Sequence, residues 1–325
     1  MNPLTTQLLA SLEVLLQEEI ECRLPNNHTS DWQPFYWDFL VKGEFNPISL
    51  LYSQGWMKNT DIEIAINNWQ EIEQNGIPTP EEYNDYADYT LEYGKDEVDR
   101  KSPKFQQRKN IYQQLSKLLK SNLQNLQVYQ FSCSTVYSCF AIIGQVDNEN
   151  WICVTSTVPQ ETPDISEILV TEENTEVPSD QPKIDLEFQV DKITKFLTPV
   201  LIYGHYDGGY DNTYNHKIIY QTASEKDIAL QNALIKSGFL QVGKFQTFYP
   251  NEGKYIFDNY ASDDQEAIEL YSNYQQLNSF IKAKFPESIA YTFRFWDYTQ
   301  IFIVGESAAN DRVGLRLNSE FDYNP

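Results

Sequence analysis

The sequence predicts an α/β protein made of two tandem domains, each with a central sheet covered by helices. Three observations predict this fold class. Short matching segments recur in the same order in both halves of the chain. Each half alternates the 3–4 apolar spacing of helices with the two-residue alternation of strands. A stretch poor in apolar residues separates the two halves. Helices that precede and separate strands favour sheets covered by helices.

The internal repeat is clearest in the long helix predicted in each half. Residues 112–115 read Tyr-Gln-Gln-Leu, and residues 274–277 read the same. Because the order of the matches is kept over most of both halves, tandem duplication of one domain is the best explanation. The other matching pairs are 51–56 with 234–239, Tyr129 with Tyr291, Phe131 with Phe293, and, after a slip of one residue, 142–144 with 303–305.

The expected domain boundaries are residues 1–158 for the first copy, 159–182 for a linker and 183–325 for the second copy. The linker combines prolines with like charges, a composition that disfavours a core and favours mobility. Its few apolar residues leave docking on a domain surface open. These residues are Ile165, Ile168, Leu169 and Val170.

Each copy is expected to open with an amphipathic helix followed by strands. Strands are predicted at 35–41 in the first copy, and at 200–203 and 217–220 in the second. A helix then ends at Gly55 or Gly238, because glycine suits a helix C-terminus. The apolar positions of the opening helices are Leu8, Leu9, Leu12, Leu15 and Leu16 in the first copy, and Ile193, Phe196 and Leu197 in the second.

The second part of each copy contains the long helix and a hairpin. Alternating residues predict hairpins at 127–145 and 291–306, and a last strand starts near Trp151 or Val313. An acidic, tyrosine-rich segment precedes the long helix. In the second copy the buried stripe of that helix is Ala267, Leu270, Tyr271, Tyr274, Leu277, Ile281 and Phe285.

Net charge limits the classes of partner. The chain has 47 acidic and 24 basic residues, for a formal net charge of −23. Such a field repels a phosphate backbone, so direct nucleic-acid binding is not expected, whereas a basic protein would be attracted. Charge alone fits equally a surface that only keeps the protein soluble.

We also do not expect insertion into a membrane, secretion, or a fold that needs a bound metal ion for its stability. No stretch reaches the roughly 18 to 20 apolar residues of a membrane span. The N-terminus lacks the basic start of a signal peptide, so a cytoplasmic location is expected. The four cysteines have no zinc spacing and are interpreted as reduced residues, three of them in strands of the core. They are Cys22, Cys133, Cys139 and Cys153.

The residues 118–129 closely resemble the long helix and following strand of the nuclease A inhibitor family. Residues 141–144 resemble the hairpin strand of that family, and 154–158 its last strand. The second copy resembles the family more loosely, through 263–282 and 302–306. The resemblance implies a three-layer α/β/α sandwich that binds a sugar-nonspecific nuclease and blocks its active site.

The resemblance also implies where a partner would bind. Family contacts include an acidic loop with an aromatic residue before the long helix, an acidic residue near the first strand, and a free C-terminal carboxylate. In this chain Thr162 corresponds to the family's C-terminus, but the chain continues beyond it. The partner-binding candidates are Glu81, Glu82, Tyr83, Asp85, Tyr86, Asp88, Tyr89, Asp207, Asp258, Tyr260, Asp263 and Asp264.

The acidic segment 81–99 has two interpretations of equal weight. Its tyrosines recur every three or four residues, and phenol rings among carboxylates suit a surface that meets Arg and Lys of a partner. A plain loop or a helix that faces the core fits the pattern as well. These tyrosines are Tyr83, Tyr86, Tyr89 and Tyr93.

One segment raises the question of catalysis. His205 and Asp207 are two residues apart, and His216 could return across a hairpin to complete a metal site. The Asp-Gly-Gly run at 207–209 is a strong turn signal, so a turn is favoured over a metal site.

The sequence therefore ranks three functions. The first is a non-catalytic acidic protein-binding module that needs no cofactor and inhibits a nuclease or another basic protein by blocking its active site. The second is a scaffold or accessory subunit that uses the duplicated fold. The third, ranked last, is a metal-dependent hydrolase.

Overall fold

The computed structural model describes residues 2–18, 20–22, 28, 30–75, 103–135, 137–159, 169–173, 185–207, 210–248 and 265–320. The described helices are α1 Pro3–Leu15, α2 Phe39–Lys42, α3 Pro47–Ser53, α4 Ile62–Asn75, α5 Pro103–Asn122, α6 Asp185–Thr194, α7 Lys226–Ser237 and α8 Gln265–Lys284. The strands are β1 Glu21–Cys22, β2 Ser30–Asp31, β3 Gln33–Trp37, β4 Met57–Asn59, β5 Gln124–Phe131, β6 Cys139–Gln145, β7 Trp151–Ser156, β8 Leu169–Glu173, β9 Val200–Asp207, β10 Tyr210–His216, β11 Ile218–Ala223, β12 Leu240–Phe248, β13 Ile289–Arg294, β14 Tyr298–Glu306 and β15 Arg312–Glu320.

Two antiparallel sheets form the framework, so the mixed α/β class is confirmed. The five-stranded sheet has the order β11-β7-β6-β5-β4, and the six-stranded sheet has the order β3-β15-β14-β13-β12-β8. The small hairpins β1–β2 and β9–β10 pair separately. Hairpins β5–β6 and β13–β14, followed by β7 and β15, lie where the alternating pattern predicts them.

The two halves exchange a strand. Strand β3, from the first half, pairs along β15 of the second half, from Trp37 opposite Arg312 to Gln33 opposite Arg316. Strand β11, from the second half, pairs along β7 of the first half, with Ile218 opposite Ser156. Each sheet therefore contains backbone from both sides of residues 159–182.

Three hydrophobic clusters fill the space around the sheets. One face of the five-stranded sheet packs against α4, α5 and α6. One face of the six-stranded sheet packs against α1 and α8. The remaining faces share a cluster that contains α3 and α7, and this cluster includes Trp37, Phe131, Phe239 and Phe302. This shared central layer joins both sheets into one body.

Three elements differ from the sequence pattern. Strand β3 ends at Trp37, and 39–42 is a short helix because the Asp38 side chain accepts a hydrogen bond from the Leu40 backbone N–H and caps it. Helix α6 starts at Asp185 and buries Leu186 and Val190, so it lies earlier than its predicted apolar positions. Cys133 follows β5 and lies outside a strand.

Part of the expected linker is a strand. Leu169–Glu173 forms β8 and pairs with β12, and the Leu169 side chain is buried. The sequence left open whether the apolar residues of the linker dock on a domain, and Leu169 and Val170 do so as part of β8. The domain boundaries at residues 158 and 183 stay a prediction.

Matching glycines lie at matching places in the two sheets. A Cβ on Gly144 of β6 would lie 2.7 Å from the Leu123 Cβ, and one on Gly305 of β14 would collide with Phe285. Leu123 and Phe285 directly follow the ends of α5 and α8. A side chain at either glycine would push the end of the long helix away from its sheet.

Candidate functional site

The predicted partner-binding residues lie on three segments. Those between residues 76 and 102, and those between 249 and 264, fall outside the described residues. Asp207 is the last residue of β9, and its backbone pairs with Tyr210 across the hairpin. The structure therefore describes the ends of helices and strands from which these three segments extend. The residues outside are Glu81, Glu82, Tyr83, Asp85, Tyr86, Asp88, Tyr89, Asp258, Tyr260, Asp263 and Asp264.

A buried ion pair joins the two helices that flank the acidic tyrosine segment. Glu73 lies in the last turn of α4, and Arg108 lies in the second turn of α5. Arg108 donates from Nη2 to Glu73 Oε1 at 2.6 Å and from Nε to Oε2 at 2.9 Å. Both side chains are buried. This bidentate pair fixes the end of α4 to the start of α5.

The same carboxylate binds two further side chains. The Tyr112 hydroxyl donates to Glu73 Oε1 at 2.7 Å, and His216 Nδ1 lies 3.3 Å from that oxygen. His216 is the last residue of β10, and its hairpin partner β9 ends at Asp207. Glu73 therefore connects the base of the acidic tyrosine segment to the base of the hairpin that carries Asp207. We call these four residues, Glu73, Arg108, Tyr112 and His216, the Glu73 cluster.

The contacts within the Glu73 cluster stabilise the ionised form of Glu73. Burial raises the pKa of Glu73, but the hydrogen bonds and charges of His216 and Arg108 outweigh burial and bring the pKa to about 2. Burial and the neighbouring Glu73 charge raise the pKa of Tyr112 well above its ordinary value. At neutral pH the centre of the cluster is an ionised glutamate beside a protonated tyrosine and an arginine.

In the second half, a tyrosine of the long helix makes hydrogen bonds near the strand that precedes the acidic segment. Tyr274, which matches Tyr112 in the repeat, donates from its hydroxyl to the Glu21 carbonyl at 2.7 Å and accepts from Trp32 Nε1 at 3.0 Å. Trp32 also packs on Phe248, with ring centroids 5.3 Å apart. Phe248 ends β12, where the segment 249–264 begins. Thus, in each half, the matching tyrosine of the long helix contacts the element that precedes the acidic segment: Tyr112 contacts Glu73 of α4, and Tyr274 contacts Phe248 of β12.

The structure does not bring His205, Asp207 and His216 together as one site. His216 is paired with Val200 at one end of the hairpin, whereas Asp207 is at the turn end. Seven residues along a strand span about 23 Å at ~3.3 Å per residue. Over the described part of the chain, no group of three or more His, Cys, Asp or Glu is arranged to hold a metal ion. The metal-site hypothesis is therefore wrong in its geometry.

Sequence reasoning missed Glu73 and Arg108. A signal for Arg108 is present, because it lies four residues before Tyr112 and seven before Leu115, on the buried stripe of α5. A charged residue on the apolar face of a helix requires a partner. Glu73 lies 35 positions away, and only the packing of α4 against α5 makes it that partner.

Comparison with known proteins identifies one family. The model of the family described as "NuiA: Nuclease A inhibitor-like protein" matches residues 72–162. The matched segment starts one residue before Glu73 and contains α5, β5, β6 and β7. No curated protein and no solved structure matches the chain.

The family match supports a general role. A nuclease A inhibitor-like segment indicates a protein-binding role of the nuclease-inhibitor type, with a protein partner such as a nuclease, and the family is generally non-catalytic. Among the described helices, none has the combination of length and apolar character needed to cross a bilayer.

Proposed function

We propose that this chain is a non-catalytic inhibitor of a basic nuclease, and that its acidic segments occupy the active site of the partner. The observation that carries the proposal is the family match at residues 72–162, which covers the acidic tyrosine segment, the last turn of α4 with Glu73, and all of α5. A net charge of −23 supplies long-range attraction to a basic partner.

The Glu73 cluster supports the mechanism. A loop that blocks an active site loses less entropy on binding when its ends are already held. The ion pair between Glu73 and Arg108 closes the base of the segment 76–102, and His216 connects it to the Asp207 hairpin. In this mechanism Glu81, Asp85 and Asp88 meet basic side chains of the nuclease, while nearby tyrosines pack on them.

The proposal includes two diverged copies of one domain. Its support is the matching order of elements. In the first half the order is α3, β4, α5, β5, β6 and β7, with α4 inserted between β4 and α5, and in the second half it is α7, β12, α8, β13, β14 and β15. The exchanged strands β3 and β11 take matching edge positions, beside β15 and β7. The matching Gly144 and Gly305 contacts support the same view. In the second copy, Asp258, Tyr260, Asp263 and Asp264 would act as the acidic segment.

The test is capture followed by inhibition. The tagged full-length chain is used to capture partners from native lysate at about 50 and about 500 mM salt, a range over which exposed charge pairs lose most of their attraction. A nuclease recovered at low salt is then assayed for hydrolysis of a fluorescent DNA substrate with increasing amounts of the chain. We expect inhibition that weakens at high salt.

Charge reversal separates the specific surface from net charge. The variant Glu81→Lys/Asp85→Lys/Asp88→Lys is expected to lose inhibition. The variant Glu13→Lys/Glu149→Lys/Glu269→Lys, which changes net charge equally at exposed positions elsewhere, should inhibit like the wild type. Recovery of only salt-resistant partners without nuclease activity would instead favour the scaffold function.

A further inference from the structure

A cleft whose lining includes two lysines lies between the two halves of the chain. It has a volume of about 730 Å³ and is lined by residues of β3, α2, α3, β4 and β5 from the first half and by the start of α7 from the second. Its apolar wall contains Trp37, Ile48 and Met57, which are buried. This size is within the usual range of binding clefts.

Two lysines give the cleft a positive charge. Lys226 Nζ donates to the Tyr129 hydroxyl at 2.7 Å and lies 5.2 Å from the Tyr129 ring centroid, and Tyr129 in turn donates to Gln127. Lys42 Nζ lies 4.9 Å from the Trp37 ring centroid. Neither lysine forms an ion pair with a carboxylate among the described residues, although Asp227 also lines the cleft. The charged residues that line the cleft are these two lysines and Asp227, so the lining has a net charge of +1.

Of the three most exposed large apolar side chains of the described chain, one lines this cleft and two directly precede its Lys42 in sequence. Leu40 is 83% exposed and Val41 is 78% exposed, and both belong to the same short helix as Lys42. Tyr52 of α3 is 74% exposed and lines the cleft. Adjacent exposed apolar side chains around a cleft are typical of protein interaction sites.

We propose that this cleft binds an acidic segment of a second protein, with one aliphatic or aromatic side chain inserted against Trp37, Ile48 and Met57. The carboxylates of that segment would pair with Lys42 and Lys226, while Leu40, Val41 and Tyr52 cover its apolar flank. The apolar wall favours a peptide over a free anion or a nucleic acid. This partner has the charge opposite to that of the proposed nuclease, so the cleft is a second, independent binding site.

A displayed peptide library tests the site directly. Random 16-residue peptides on phage are selected against the full-length chain, and a fluorescein-labelled peptide of the enriched sequence is titrated by fluorescence anisotropy. We expect enrichment of Asp and Glu around one large apolar residue. The Lys42→Glu/Lys226→Glu variant should bind this peptide at least about tenfold more weakly, since two ion pairs become repulsive contacts.

Matched control variants separate binding at the cleft from the effect of net charge and from nonspecific binding to exposed apolar side chains. Lys192→Glu/Lys282→Glu makes the same charge change at exposed positions of α6 and α8 and should bind like the wild type. Leu40→Ser/Val41→Ser should weaken binding, whereas Leu4→Ser/Val14→Ser, at exposed positions of α1, should not. Far-UV circular dichroism checks that each variant is folded.

Three outcomes would overturn the proposal. The first is the absence of any enriched acidic peptide. The second is equal binding by the cleft variant and its control. The third is sedimentation showing a wild-type dimer that Lys42→Glu/Lys226→Glu dissociates, because the occupant would then be a second copy of this chain. None of these results depends on nuclease inhibition, so the proposed function is tested separately.

Discussion

Replacing Glu73 by glutamine removes the negative charge at the centre of a buried polar cluster. The folded-state pKa of Glu73 is about 2, against an ordinary value of 4.5. Each pKa unit corresponds to about 1.4 kcal/mol, so this lowering stabilises the folded chain by about 3 kcal/mol at neutral pH. The glutamine variant also leaves Arg108 buried without its counter-charge, a change that costs about 3 to 5 kcal/mol in comparable pairs.

The sign of the pH dependence follows from the lowered pKa. Between pH 4.5 and about 2 the unfolded chain binds a proton at Glu73 that the folded chain does not bind. The stabilisation from this carboxylate is therefore complete above pH 4.5 and is lost as the pH falls toward 2. We expect the difference in unfolding free energy between wild type and Glu73→Gln to shrink over that range.

The assay is urea unfolding followed by far-UV circular dichroism, at pH 7 and at steps down to pH 3. Glu63→Gln is the matched control, because Glu63 lies on the same helix and pairs with Lys120 of α5, but with its side chain 58% exposed. That exposed pair should contribute less than about 1 kcal/mol. Arg108→Gln and the double variant with Glu73→Gln complete a thermodynamic cycle, with a coupling of about 1 to 3 kcal/mol.

Two results would refute this reasoning. Equal destabilisation by Glu73→Gln and Glu63→Gln would mean that burial does not strengthen the ion pair. A wild-type advantage that stays constant from pH 7 to pH 3 would mean that the pKa of Glu73 is not lowered by folding.

Two further predictions follow from the packing of the sheets. Gly144→Val places side-chain atoms against Leu123 and should lower the free energy of unfolding by about 1 to 3 kcal/mol, and Gly305→Val should act in the same direction through Phe285; thermal unfolding measures both, and an unchanged midpoint would contradict the close approach. Removal of residues 1–37 deletes α1, β1, β2 and β3, which leaves β15 as an open sheet edge and removes part of the core beneath it. We expect aggregation on size-exclusion chromatography, and a monomer of unchanged stability would show that this whole N-terminal part, including the exchanged strand, is dispensable.

Much of the local structure follows from sequence pattern alone. The stripe with Tyr274, Leu277 and Ile281 predicts α8, and the three side chains are buried as the 3–4 spacing requires. Gly238 ends α7 with a φ of +84°, where a glycine avoids the strain of a side chain. Such features depend on neighbours within a few residues, and the sequence displays these neighbours directly.

The site is only partly visible in the sequence. The acidic segments are evident from composition alone. Their anchors were not, because Glu73 looks like one of many surface carboxylates on α4 until Arg108 and Tyr112 are packed against it. In the sequence His216 is a candidate metal ligand, whereas tertiary packing places it beside Glu73.

The sequence by itself determined the α/β class, the repeated long helices and hairpins, and the strong negative charge. Tertiary structure alone decided that β3 joins β15 and that β11 joins β7. The physical reason is that strands pair through backbone N–H and C=O groups, which are the same at every residue. The alternation of side chains therefore specifies a strand and its buried face, but the choice of neighbouring strand depends on how the whole core packs.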